Sequence, residues 1–324
     1  MTSAIVIENF GNPDVLQIKE VWVPAPGPHE VVIQHHSIGV NFHDAYVRSG
    51  SYKTLTLPGV PGIEAAGTIQ AIGSQVTKFK PGDRVAYITK AYGAYAEKRT
   101  INADSLVHIP DTITYDVAAS TLLKGLTAHT LISETYQIKS GDWVLIHAAA
   151  GGVGLLLCQW ARHLGARVIG TVSTQIKADA AYDAGCEFVI QTKEHDFSKE
   201  VEIITGGRGV QVVYDSVGKD TFFGSLDSLA PCGHLASYGQ ASGPVEAFEI
   251  SLLFPKSLSI SRPNIFQHLR DPEKLRASAE QLFAALSSDR ISAGVSHSFL
   301  LRDANQAHVA LESRQRLGSL ILKP

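Results

Sequence analysis

The stretch "HAAAGGVGLLLCQWARHLG", residues 147–165, constrains the fold more than any other part of the chain. It runs from a cluster of small residues straight into an amphipathic helix, with Val153, Leu156, Leu157, Trp160 and Leu164 on one face. Just before it, "WVLIHA" (143–148) is apolar without alternation, the pattern of a strand buried on both faces. Gly165 supplies a left-handed cap for the helix. Strand, tight turn and helix in immediate succession belong to a parallel sheet covered by helices.

Positions 148, 151 and 154 carry small residues at the spacing of a dinucleotide fingerprint whose first glycine is alanine. In that reading a small residue permits the tight turn. Gly151 lets a pyrophosphate approach the backbone, and Gly154 lets the helix pack closely on the strand. Gly152 and Val153 open the helix, whose free N–H groups and positive dipole end suit phosphate. A glycine-rich turn that merely packs helix on sheet is the plainer alternative, but strand, turn and helix all fall where the motif demands. The next strand, "RVIGTV", ends in Thr171-Val172-Ser173 rather than in an acid, with Lys177 four residues beyond Ser173. A carboxylate there would hold a ribose 2′-hydroxyl and repel a 2′-phosphate, whereas hydroxyls and a lysine welcome the phosphate. NADPH is therefore expected over NADH, although a lone lysine also suits a solvated helix face.

The remaining texture divides the chain. Up to about residue 120, short apolar runs such as "EVVIQHHSIGV", "GTIQAIG", "DRVAYI" and "SLVHIP" are separated by turns, with "KPGD" at 80–83 a tight one. Such spacing predicts an antiparallel barrel or folded sheet. Later strands are expected at "EFVI", "VQVVYD", "HLASYG" and "SLSIS". Asp271-Pro272 opens a further helix, Asp as N-cap and Pro at the first position, with Leu275, Ala279, Leu282, Phe283 and Leu286 buried. A short helix after Asp303 and a strand at "GSLILKP" finish the chain.

The 324 residues suffice for two domains, and the net charge of −3 gives no reason to expect nucleic acid or an anionic membrane as partner. Three scattered cysteines without a CxxC pair argue for a reducing compartment and against a structural zinc lobe. The N-terminus lacks the pattern of a signal peptide, and no apolar run reaches the roughly 18 residues of a membrane span. A cytoplasmic globular protein is expected.

Residues 141–162, "GDWVLIHAAAGGVGLLLCQWAR", resemble the signature of the quinone oxidoreductase and zeta-crystallin family. The likeness extends through "IGVNFHDAYVRSGSY" (38–52), "GIEAAG" (62–67), "LKGLTAH" (123–129), "VVYDSVG" (212–218) and "SYGQASG" (237–243). It is greatest to the bacterial NADPH:quinone reductases, the zinc-free branch of the medium-chain dehydrogenase/reductase superfamily. The resemblance implies an α/β fold of two domains. A GroES-like β-rich catalytic domain would comprise 1–123 and 266–324, and a Rossmann domain with a doubly wound parallel sheet 124–265. It also implies an active site in the cleft and a homodimer. The zinc alcohol dehydrogenases of the superfamily need a Cys and a "GHE" His as ligands. Here those positions look like Asn41 and Ile63, so a site without metal is expected. His35 and His36 sit on opposite faces of one strand and cannot readily share an ion.

By resemblance, Asn41, Phe42 and Tyr46 lie beside the nicotinamide and Tyr52 lines the acceptor pocket. For Tyr46 and Tyr52 the bland reading is aromatic packing in a loop. Thr127, Thr130, Gly152 and Val153 would meet the diphosphate or nicotinamide end, and Ser216, Tyr238, Gly239 and Gln240 come at strand ends, where such sheets bind ligands. Arg262 and Arg314 match positions near the cofactor, though simple exposure is the cheaper explanation. Thr192 stands where relatives often place a tyrosine on the 2′-phosphate region, with Lys193 as compensation. His43 stands where they commonly carry an aliphatic residue. It aligns with the proton-relay hydroxyl of the zinc enzymes and, titrating near neutrality, could donate a proton to the reduced acceptor.

Three functions fit. The first is NADPH-dependent quinone reduction, by hydride or sequential electron transfer. The second is reduction of α,β-unsaturated ketones or aldehydes, and the third an NADPH-binding structural or RNA-directed role. The lack of a basic stripe weighs against RNA.

Overall fold

In the computed structural model, which describes residues 1–313 and 317–324, the chain forms two compact units. The first holds Met1–Leu123, Leu269–Ser288 and Ala293–Pro324, and the second Lys124–His268 and Asp289–Ser292.

The first unit opens with a two-stranded antiparallel sheet of β1 (Thr2–Val6) and β2 (Gln17–Val21). Its main sheet is built on β3 (Glu30–Val40), which α1 (Phe42–Ser49) follows at once. Then come β4 (Glu64–Ile72), β5 (Arg84–Ile88), β6 (Lys98–Asn102) and β7 (Leu106–His108). The "KPGD" turn joins β4 to β5 as its sequence requires. Gly82 takes φ 91°, and the Lys80 N–H donates to the Asp83 carboxylate at 3.0 Å. Neighbouring strands among β3, β4, β5 and β7 are antiparallel, and β6 also pairs with β3. The core gathers Ile5, Ile33, Ile38, Tyr87, Tyr95 and Leu106. Helix α2 (Tyr115–Thr130), ending in a π turn over Leu131–Thr135, carries the chain into the second unit.

The second unit alternates strand and helix. In order come β8 (Trp143–Ile146), α3 (Gly152–His163), β9 (Arg167–Val172), α4 (Gln175–Asp183), β10 (Phe188–Gln191) and α5 (Phe197–Thr205). They are followed by β11 (Val210–Asp215), α6 (Phe222–Ser228), β12 (Leu229–Ser237), a 3-10 segment (Ile250–Lys256), β13 (Ser259–Ser261) and α7 (Ile265–His268). All six strands are parallel, in the order β10-β9-β8-β11-β12-β13. The chain therefore winds outward in both directions from β8, and the sheet order reverses between β8 and β11. All four residues of β8 are buried, as the unbroken apolar run requires.

The C-terminal return rejoins the first unit. Helix α8 (Pro272–Ser287) starts at Asp271, whose carboxylate accepts the Glu273 N–H at 3.0 Å, and it buries the five anticipated apolar residues. After β14 (Val295–Leu300) and α9 (Ala304–Glu312), β15 (Ser319–Lys323) adds to β3, Leu320 opposite Val40.

A buried polar chain ties α9 to α1. Arg48, almost fully buried, makes a bidentate ion pair with Glu312 at 2.9 Å and contacts His308 at 3.4 Å. His308 Nε2 meets the Tyr95 hydroxyl at 3.0 Å. Burial, with Arg48 adding repulsion, pushes His308 down to about 3, and burial also pushes His35 down to about 3 from the usual 6.5. Below pH 6.5 the unfolded chain therefore binds more protons than the folded one. The stabilisation from neutral burial is complete above pH 6.5 and is lost as the pH falls toward 3, at about 1 kcal/mol per histidine per pH unit. Urea midpoints measured from about pH 7 down to about pH 4.5 are expected to fall, and less steeply in a His308→Gln variant. Equal slopes in the two proteins would reject His308 as a source of the acid sensitivity.

Candidate active site

In the first unit the site residues converge on α1. Asn41 follows β3 in extended conformation as the N-cap of α1; the Asp44 carboxylate accepts the Asn41 backbone N–H at 2.9 Å. The Asn41 side chain is buried and its Nδ2 donates to Glu64 Oε2 at 2.8 Å, while Glu64 Oε1 accepts the Leu123 backbone N–H at 2.6 Å. Glu64 is itself wholly buried, and room for it exists because residue 39 is glycine. A Cβ there would lie 2.4 Å from Glu64 Oε2 and 2.3 Å from the Ala119 carbonyl oxygen. Sequence reasoning gave Glu64 no role, although "GIE" had marked its place. Ile63, beside it, is a core residue.

Aromatic rings gather around α1. Tyr46 packs on Tyr52 with centroids 5.2 Å apart, His43 meets the edge of Tyr52 at 5.7 Å, and Phe42 lies 6.3 Å from Tyr46. Tyr46 thus sits in a helix rather than in the loop of the plainer alternative; Tyr52 follows the helix and donates its N–H to the Tyr46 carbonyl at 2.9 Å. His43 Nε2 is 3.2 Å from the Tyr92 hydroxyl, which bonds Thr54 at 2.5 Å. Neither Tyr92 nor Thr54 had been singled out. Burial pushes His43 down to about 4. That shift favours the neutral ring at pH 7 and runs against the expectation that His43 titrates near neutrality and so donates a proton to the reduced acceptor.

In the second unit the candidate residues lie at the C-terminal ends of the parallel strands. Ala148 occupies the first fingerprint position with φ 51°, the left-handed region that glycine favours. Gly151 precedes α3 as its N-cap, and Gly152 and Val153 form the first turn. Gly154 has no substitute, because a Cβ there would meet the Ala148 and Ala149 carbonyl oxygens at 2.3 and 2.8 Å. At the end of β9, Lys177 Nζ donates to Ser173 Oγ at 3.2 Å, bringing the two anticipated residues together. Thr192 is exposed beside them, its hydroxyl donating to the Val172 carbonyl at 3.3 Å.

Ser216, Tyr238, Gly239 and Gln240 follow β11 and β12. The Tyr238 N–H donates to the Asp215 carbonyl at 2.8 Å, and a Cβ at Gly239 would lie 2.5 Å from the Ser216 carbonyl oxygen. Burial raises the Tyr238 hydroxyl above its ordinary range, keeping it protonated.

Two expectations need correction. Thr130 is 2% exposed at the end of α2 and offers no surface to a ligand, whereas Thr127 on the same helix is half-buried. The Thr171 hydroxyl bonds His147 inside the sheet and does not face a 2′-phosphate. Arg262 is exposed but not idle. Its guanidinium donates to the Ser237 and Gly239 carbonyls at 2.9 and 2.7 Å and reaches Gln240 at 3.4 Å, which pins the loop after β12. Arg314 lies outside the described residues.

A chain with a glycine-seated helix on a six-stranded parallel sheet in one unit and a largely antiparallel β sheet in the other has the elements of a dehydrogenase. Comparison with known proteins agrees. Residues 27–111 match the family described as alcohol dehydrogenase GroES-like domain, and residues 152–284 the family described as zinc-binding dehydrogenase. A quinone oxidoreductase of Pseudomonas aeruginosa is 43% identical over 325 residues, covering 100% of both chains. A 2-haloacrylate reductase of a Burkholderia species is 42% identical over 331 residues, covering 100% of this chain and 99% of its own. The solved structure of Escherichia coli quinone oxidoreductase complexed with NADPH superimposes with a TM-score of 0.97 at 42% identity, covering 99% of this chain and 100% of that one. The chain belongs to the quinone oxidoreductase family.

The two small residues of the turn should behave oppositely. Gly154→Ala is expected to destabilise the protein by roughly 2 kcal/mol or more through backbone overlap. Ala148→Gly, which relieves a positive φ, should change stability by less than about 1 kcal/mol. Thermal melting of both variants checks this, and a Gly154→Ala protein that melts like the parent would refute the close seating.

Proposed function

We propose that this chain is an NADPH-dependent quinone reductase that works without a metal. The observation carrying the cofactor is the pairing of Lys177 with Ser173 at the end of β9, where no acid stands, next to a helix N-terminus seated by Gly154. The residues present fit that group. Gly151, Gly152 and Val153 would take the diphosphate, and Ser173 and Lys177, with Thr192 at the rim, the 2′-phosphate. Thr127, Ser216, Tyr238, Gly239 and Gln240 would line the path to the nicotinamide, with Arg262 holding the loop and Arg314 a further candidate. Asn41, Phe42 and Tyr46 would bound the nicotinamide itself.

When bound, NADPH supplies a hydride from its nicotinamide ring. The chain's own task is positioning. Asn41 is held by Glu64, which fixes the amide's orientation. Tyr52 and neutral His43 offer polar atoms among aromatic faces, suited to a flat acceptor with carbonyl oxygens. The absence of metal chemistry rests on donor type: an asparagine amide already bonded to a carboxylate, and an isoleucine in the core, supply neither thiolate nor imidazole. A second reading, reduction of an activated carbon–carbon double bond, is favoured by the likeness to the 2-haloacrylate reductase.

Two further parts of the proposal concern setting and assembly. A reducing, cytoplasmic location suits three cysteines without a CxxC pair; among the described residues no helix is long and apolar enough to cross a membrane. A homodimer is supported by β13, an edge strand of the parallel sheet, and by Ile250 and Phe254 on the preceding segment, 81% and 85% exposed.

With a simple quinone and a chelator present, NADPH is expected to be oxidised at least about tenfold more efficiently than NADH, and Lys177→Ala should remove most of that preference. Preference for NADH would overturn the cofactor reading; fast turnover of an enone but not of a quinone would select the second reading. Phe254→Asp should shift the protein from dimer to monomer in light scattering. A parent already monomeric, or a dimer indifferent to this change, would reject the proposed interface.

A further inference from the structure

Beneath the strand ends of the second unit runs a polar seam whose side chains are buried. His147, the residue after β8, is fully buried against the Phe197 ring edge, 4.8 Å away. Its Nδ1 lies 2.9 Å from Thr171 Oγ1 on β9, and its Nε2 lies 2.9 Å from Ser225 Oγ on α6. The Ser225 hydroxyl has one proton and donates it to the Thr221 carbonyl at 2.8 Å. Ser225 Oγ therefore accepts from His147 Nε2–H, which leaves Nδ1 to accept from Thr171. Burial keeps the ring neutral. The seam continues through the Thr221 hydroxyl, 2.9 and 2.8 Å from the two Asp215 oxygens, to the backbone N–H groups of Val217 and Gly218 on Asp215 Oδ1 at 2.7 and 3.1 Å.

Each strand end in the seam leads directly to a segment assigned to the cofactor. Thr171 is two residues before Ser173, His147 precedes the Ala148–Gly151 turn, and Asp215 precedes Ser216. Apolar side chains of similar shape would fill this space without desolvating five polar groups, so stability alone does not explain it. What directional bonds add is a fixed spacing between strand ends.

We infer that His147 is a positioning residue: by bridging Thr171 and Ser225 it sets the distance between the diphosphate turn and the 2′-phosphate end of β9. This rests on the NADPH reading above. No proton leaves or enters the seam, and His147 does not touch the cofactor.

Equilibrium titration with NADPH and with NADH, alongside thermal melting, separates positioning from packing. The triple variant His147→Leu/Thr171→Val/Ser225→Ala leaves no orphaned polar atom among the three sites and is expected to melt near the parent. Its NADPH dissociation constant should rise about tenfold, and its preference over NADH should shrink. Thr171→Ser, which keeps the hydroxyl, should bind as the parent does, while Thr171→Val should weaken NADPH binding even if the triple variant does not fold. Parent-like NADPH affinity and preference in the folded triple variant, or in Thr171→Val, would overturn the inference. Failure of the unmodified chain to bind NADPH would overturn the cofactor reading and the inference with it.

Discussion

The second unit depends on how closely α3 can approach the turn after β8. A Cβ at residue 154 would overlap the Ala148 carbonyl oxygen at 2.3 Å, so only glycine lets the helix start where it does. A second glycine works from the neighbouring strand. At Gly170 on β9 a Cβ would meet Cys186 Sγ at 2.7 Å and the Ala149 Cβ at 2.8 Å. With both side chains gone, the turn is clasped between α3 and β9. The first N–H groups of α3 then emerge at the strand ends, where the sheet order reverses, rather than over the sheet face. Ala148 accepts a left-handed φ as part of this geometry, at a cost of order 1 kcal/mol.

In the first unit the corresponding constraint is a buried carboxylate. Glu64 has no access to water and needs partners that donate. It finds them in the Asn41 amide and the Leu123 backbone N–H, so one side chain at the start of β4 locks the entry to α1 and a turn of α2. Gly39 gives it room, as Gly154 gives room to the turn. In both units a missing Cβ makes the room, and in the first a buried carboxylate then holds Asn41 in place.

How much of this was legible follows from where the determinants lie. The strand, turn and helix around 143–165, the "KPGD" turn and the Asp271-Pro272 helix start are set by residues close in sequence, and a reader of spacing finds them. Helix α1 was not so readable. Its buried residues include Asp44 and Arg48, which break the apolar stripe, and Arg48 finds its partners in Gly11, 37 positions away, and in His308 and Glu312, more than 250 positions away. The same blindness explains Thr171 and Thr130. A hydroxyl at the expected position says nothing about which way it faces until a distant partner, here His147 for Thr171, is in place. Glu64 stood in plain view within "GIE", yet its meaning came from Asn41 and Leu123, 23 and 59 residues away.

Residues 152–284 match a family described as zinc-binding, whereas the positions likened to zinc ligands carry Asn41 and Ile63, and on that contrast the proposed metal-free reading rests. The seat proposed for the nucleotide is built from glycines and strand ends, and the α1 cluster from a carboxylate and aromatic rings. What a metal would change is which acceptor can be reduced. A Lewis acid polarises a simple carbonyl and stabilises the alkoxide that forms from it. On the metal-free reading proposed above, an asparagine amide and a neutral imidazole would stabilise such charge far less, so the acceptor would hold the incoming charge largely by itself. Quinones do so by becoming aromatic, and double bonds conjugated to an electron-withdrawing group do so by delocalisation. The two readings proposed for this chain therefore share one cause, an acceptor that carries its own charge, and a comparison of quinone with enone turnover decides between them.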